Sequence, residues 1–142
     1  MKSIISVSGI VCAIWFCSTA FSQSQPQTDV PDDYAYLTRL HVRPAVINCI
    51  AELDRRIRTT SRYDMFLAPD RRVLKAGIDG GSGIFSGNNG AQSVESTVTM
   101  RAFARVRSKQ SWIPVVAKCG IWREHVVGVS LQKYEGRTSI VH

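Results

Sequence analysis

The chain is poor in the residues that carry chemistry. It has three histidines, His41, His125 and His142, and four cysteines, Cys12, Cys17, Cys49 and Cys119. No Cys-x-x-Cys spacing occurs, so a zinc site has no framework. No Gly-x-Ser-x-Gly elbow offers an activated serine. The run Gly80-Gly81-Ser82-Gly83 lacks the Gly-Lys-Ser/Thr that reaches phosphate and metal, and it departs from the dinucleotide spacing. No metal or cofactor signature is therefore present. Acidic residues are also scarce, 11 against 18 lysines and arginines, a net charge of +7. That excess favours anionic partners such as lipopolysaccharide, glycan or nucleic acid. The arginines are spread from Arg39 to Arg137 without a dense run, which argues for a cationic surface rather than a nucleic-acid site.

What is present begins with an export pattern. Met1-Lys2 leads into an apolar run, Ile4 to Cys17, followed by Ala20-Phe21-Ser22 as a small-x-small site. This reads as a signal peptide, residues 1–22, cleaved after Ser22. The apolar core is shorter than the roughly 20 residues of a membrane span. An uncleaved anchor is the alternative, because no charge occurs between Lys2 and Asp29. Neither Cys12 nor Cys17 has a lipoprotein context. The expected product is a soluble periplasmic or secreted protein with no span after cleavage. It keeps a charge of about +6 and begins with a flexible leader over 23–31.

Cleavage leaves two cysteines, Cys49 and Cys119. In an oxidising compartment a lone pair most simply forms one disulfide, here closing a loop of about 70 residues. Two buried free thiols are the competing reading.

The rest, 32–142, is expected to be one α+β domain. Asp32-Asp33 open a short helix through Tyr34, Leu37 and Leu40, with acids placed well at its N-terminus. Pro44 then starts a second helix, in which Val46, Ile50, Leu53 and Ile57 form an apolar stripe. Thr59-Thr60-Ser61 ends it. From Val94 the residues alternate, with Val94, Val98, Met100, Ala102, Ala104 and Val106 on one face and Arg101, Arg105 and Arg107 on the other. Ile113, Val115, Ala117 and Cys119 share one face of a second strand. Val127, Val129 and Leu131 point inward from a third. The three strands predict an antiparallel meander covered by the N-terminal helices, with Cys49 and Cys119 joining helix to sheet. Between helix and meander, Met65-Phe66-Leu67 reads as a short strand and Arg72 to Lys75 as a short extended piece. Gly77 to Gln92 reads as a long glycine-rich loop.

Candidate binding residues are the outward Arg101, Arg105 and Arg107, with Trp112 and Trp122 at the two ends of the Cys119 strand. Aromatic side chains beside arginines are common at interfaces. Chemistry has thinner support. Glu124 and His125 fall together in a predicted tight turn, where solvated turn residues are the simpler reading. His41 lies at the boundary between the two helices, and Asp64, Asp70 and Asp79 have nothing to fix a paired-carboxylate geometry.

With these residues set out, the chain resembles the small exported bacterial proteins grouped by the BspC domain. The likeness lies in the apolar leader, in His41-Val42-Arg43-Pro44-Ala45-Val46-Ile47-Asn48-Cys49, in Trp112 with Val115-Val116-Ala117-Lys118-Cys119-Gly120, and in Val126-Val127-Gly128-Val129. It covers most of the chain after the leader but not Tyr63 to Gln92. The resemblance implies a periplasmic or secreted protein of Gram-negative type, acting at an envelope or host interface, and carries over no catalytic residue. The expectation is a non-enzymatic protein that binds an anionic envelope component or a protein partner through its basic face. The alternative is a small periplasmic hydrolase or enzyme inhibitor that uses His125 and Glu124 together with the glycine-rich loop, read as mobile. Oligomeric state is left open.

Overall fold

The computed structural model describes residues 32–136. The segments expected from sequence to be a signal peptide and a flexible leader, to residue 31, and the tail from residue 137 lie outside the described residues.

A single 3-10 turn, Asp32–Tyr34, leads into helix α1, Ala35–Arg39. Residue 41 ends this helix in the left-handed region, at φ 59°. The His41 N–H donates to Thr38 O at 3.0 Å and the Val42 N–H to Leu37 O at 3.1 Å. This is the paired closure that usually carries glycine, with Leu37 and Val42 both buried beneath it. His41 is thus a helix-ending residue.

Helix α2, Pro44–Ile57, has proline in its first turn and buries Val46, Ile47, Cys49, Ile50, Leu53 and Ile57. Its exposed side is laced by Glu52 with Arg55 and Arg56, and by Asp54 with Arg58 at 2.7 Å. Burial pushes the Glu52 carboxyl up, but hydrogen bonds from both arginines together hold it below its ordinary value. At the helix end Thr59 Oγ1 donates to Arg56 O at 2.8 Å and Thr60 Oγ1 to Ile57 O at 2.9 Å. Both carbonyls also accept backbone N–H bonds, from Thr59 and Thr60, so the hydroxyls reinforce the closure of the helix end.

The sheet is antiparallel and has five strands. These are β1 (Tyr63–Leu67), β2 (Gly77–Gly87), β3 (Gly90–Val106), β4 (Ser111–Trp122) and β5 (His125–Lys133). A third short helix, α3 (Asp70–Val73), lies between β1 and β2. The architecture is α+β, with a Cys49–Cys119 disulfide from α2 to β4 at a Cα–Cα separation of 5.7 Å. The helices are not confined to the N-terminal side, because α3 follows the first strand. β3 is long enough to serve three partners. One edge pairs with β4, and the other is shared by β2 against Ile78-facing Val98 and its neighbours and by β1 against Phe103 to Val106. α3 sits in the interval between them.

Two expectations fail here. Gly77–Gln92 is not a loop: β2 runs to Gly87, and Asn88-Asn89 turns the chain into β3, with Gly90 at φ +87° completing the turn. Glycines give no alternating pattern, so the strand is held by the ladder to β3 and not by its side chains. Arg72 to Lys75 is not extended, because residues 70–73 close a helical turn on Pro69 O.

The core forms between α2 and one face of the sheet. Directly paired residues share a face, and the inner rows are Val98–Cys119–Val129, Met100–Ala117–Leu131 and Ala102–Val115. A one-residue slip between Gly120 and Ile121 leaves Val127 opposite no partner, and Val126 packs on the core instead. Val127 as an inward residue is therefore corrected to Val126, since a bulge inverts the parity beyond it.

The β4–β5 connection has only two residues, and both are left-handed: Arg123 at φ 48° and Glu124 at φ 67°. The paired left-handed geometry matches the twist of the flanking strands, but a side chain opposes it by about 1–2 kcal/mol. Glu124→Gly is expected to stabilise the protein by roughly 1 kcal/mol, seen as a rise of a few degrees in the thermal midpoint. An unchanged midpoint would mean that the Glu124 side chain makes a compensating contact.

Candidate functional site

The face of the sheet opposite α2 presents its own rows. Met65–Arg105–Trp112 comes first, then Leu67–Phe103–Pro114, Arg101–Val116–Gln132 and Thr99–Lys118–Ser130. Where the third row meets α3, a groove of about 550 Å³ opens. α3 and the residues after it contribute Arg71, Arg72 and Lys75. β3 gives Thr99, Met100 and Arg101, β4 gives Val116, and the segment after β5 gives Tyr134. The groove exists because α3 fills the interval between β1 and β2 and brings three cations beside Arg101.

Two of these cations lie over aromatic rings. Arg101 stands 4.5 Å from the Tyr134 ring centroid and Arg72 stands 4.4 Å from that of Phe103. Such stacking holds a guanidinium in place while leaving its N–H donors available. Among the described residues no carboxylate forms an ion pair with Arg71, Arg72, Lys75 or Arg101, and none lines the groove.

The arginines singled out from sequence part company here. Arg101 is exposed and lines the groove. Arg105 is held by Asp64, through hydrogen bonds of 2.8 and 2.9 Å, and those bonds keep the Asp64 carboxyl below its ordinary value. Arg107 reaches back to the carbonyls of Arg58, Thr60 and Tyr63 at 3.2–3.3 Å, tying the end of α2 to β1. Its Nη2 is engaged by the protein's own backbone. Trp112 and Trp122 are both exposed, but they stand ten residues apart on one strand, about 33 Å. Trp112 lies on the open face near Arg105. Trp122 lies at the far end beside Arg123, 6.0 Å from its ring. They do not form one site.

Sequence reading missed Arg71, Arg72, Lys75 and Tyr134. The signal available was Pro69-Asp70 followed by two arginines, a helix start that places basic residues on one turn.

Glu124 is exposed in the two-residue turn, and His125 is exposed at the first position of β5. Tyr34 is a titratable group displaced from its ordinary value, pushed up to about 12 by burial and then by the Asp54 carboxylate beside it. It faces α2 and lies away from the groove. Among the described residues no three of His, Cys, Asp and Glu converge as metal ligands, and no helix is long and apolar enough to cross a membrane. Comparison with protein families, with characterised proteins and with solved structures finds no match to this chain.

Proposed function

We propose that the protein is exported, closed by its disulfide, and acts without catalysis by binding an anionic envelope or host partner through the open face of its sheet. The observation that supports this most is the groove edged by Arg71, Arg72, Lys75 and Arg101 with no carboxylate lining it. Cations that the protein leaves unpaired are available to a partner, and their charge steers anions toward them. The signal-peptide pattern and the resemblance to BspC-domain proteins support the compartment.

The alternative, a small hydrolase or enzyme inhibitor using His125 and Glu124, drew on a mobile glycine-rich loop. That stretch is paired strand, which removes one of its components.

Binding to immobilised heparin, a soluble polyanion, tests the reading. Arg71→Glu with Arg101→Glu is expected to lower affinity at least about tenfold at low salt and to flatten the salt dependence, with the fold intact by circular dichroism. Unchanged affinity in the double variant would sink the assignment of the groove. His125→Ala is expected to leave this binding unaltered.

A further inference from the structure

The basic groove is continuous with an apolar surface. Met65 is 44%, Leu67 50% and Trp112 44% exposed, and all three project from the face that carries Arg101. They occupy the two rows next to the groove, and rows two residues apart along a strand are separated by about 7 Å. Arg105, the charge standing among them, is neutralised by Asp64. One side of the face is therefore apolar and little charged, and the other carries Arg71, Arg72, Lys75, Arg101 and Lys118, none in an ion pair among the described residues.

A soluble polyanion would use only the cations and leave Trp112, Met65 and Leu67 in water. A bilayer of acidic lipids offers anionic phosphates above acyl carbon, so it complements both parts at once. Tryptophan settles readily at such an interface, because its ring is apolar and its N–H remains wet. Resting on the anion-binding reading above, we propose that this sheet face docks on the surface of an anionic lipid bilayer. Arg71, Arg72, Lys75 and Arg101 meet phosphates, and Trp112, Met65 and Leu67 enter the interface. The opposite face cannot serve, because α2 covers it.

The test uses the full chain carrying Trp15→Phe and Trp122→Phe, so that Trp112 is the one tryptophan, isolated in its disulfide-closed form after export. The expected result is binding to vesicles of phosphatidylglycerol with phosphatidylcholine, much weaker binding to phosphatidylcholine alone, and a blue shift of Trp112 emission on binding. Arg71→Glu with Arg101→Glu should weaken vesicle binding by roughly fivefold or more per residue changed. Met65→Ser with Leu67→Ser should weaken it while leaving heparin binding as it was, and both positions are exposed enough for the variant to fold. Vesicle binding with no change in Trp112 emission and no effect of the serine variant would overturn the bilayer proposal and leave the anion-binding reading standing. Loss of binding to vesicles and heparin alike would overturn both.

Discussion

Reducing the Cys49–Cys119 bond is expected to remove about 4 kcal/mol of stability. The bond closes a loop with a sequence separation of 70, and the entropy such a cross-link takes from the unfolded chain amounts to about 4 kcal/mol at that length. A domain of this size has about 5–15 kcal/mol in all, so the reduced protein should fold only marginally. Urea unfolding with and without reductant reads this directly, as a fall in midpoint of roughly 2 M. Cys49→Ala with Cys119→Ala should match reduction, and alanine avoids burying two hydroxyls where both cysteines are fully enclosed. The fold should survive, because Leu53 and Ile57 still seat α2 on the sheet. A shift smaller than about 1 kcal/mol would mean that the unfolded chain already holds helix and strand close together.

That bond was legible in the sequence for a physical reason. Cys49 flanks the apolar stripe of a strongly periodic helix, and Cys119 lies on the buried parity of an alternating strand. Patterns of 3.6 and 2 residues thus place both on surfaces that must meet. The helix–sheet core followed from the same periodicities, down to Val98, Met100, Ala102 and Ala104 on one side of β3. Where side chains do not alternate, the reading failed. β2 is built largely of glycine and serine, and it is strand because β3 is long enough to pair with it. Val127 was misplaced because a bulge is a property of two strands in register and leaves no mark on either alone.

The candidate site was legible only in part. Outward-facing arginines on β3 could be counted, but their partners could not. Asp64, 41 residues before Arg105, neutralises it, and three carbonyls beyond the end of α2 occupy Arg107. Arg101 makes no ion pair or hydrogen bond among the described residues, whereas Arg107 keeps its charge but has Nη2 held by the backbone. The three cations that join Arg101 come from a helix of four residues and the segment just after it, too short to show periodicity. A charge becomes a binding group when the fold leaves it unpaired, and pairing across long separations is set by topology.

The second large effect concerns Gly120 and Gly128, which stand opposite one another on β4 and β5, on the parity opposite to Cys119 and Val129. Phe85 and Val94 are buried yet lie outside the core beneath α2. The end of the β2–β3 hairpin folds over the two glycines, and Asn88 N–H donates to Val129 O at 3.0 Å to fasten it. A Cβ at position 120 would stand 2.7 Å from Val94 Cγ1 and 2.8 Å from Phe85 Cγ, and one at position 128 would stand 3.0 Å from Phe85 Cδ1. Neither glycine is needed for its backbone angles; each is needed for the space its missing side chain leaves for the ring. Gly120→Ala is expected to cost about 1–3 kcal/mol, as overpacking of a filled interior does. Phe85→Ala is expected to cost about 3 kcal/mol or more through the lost ring contacts. The discriminating measurement is the double variant. With the ring gone, the alanine at 120 loses its contact with Phe85 Cγ but keeps Val94 Cγ1 at 2.7 Å and Phe85 Cβ at 3.0 Å, so its cost should fall measurably without vanishing. Strict additivity would instead mean that the Val94 contact, and not the ring, dictates the glycine.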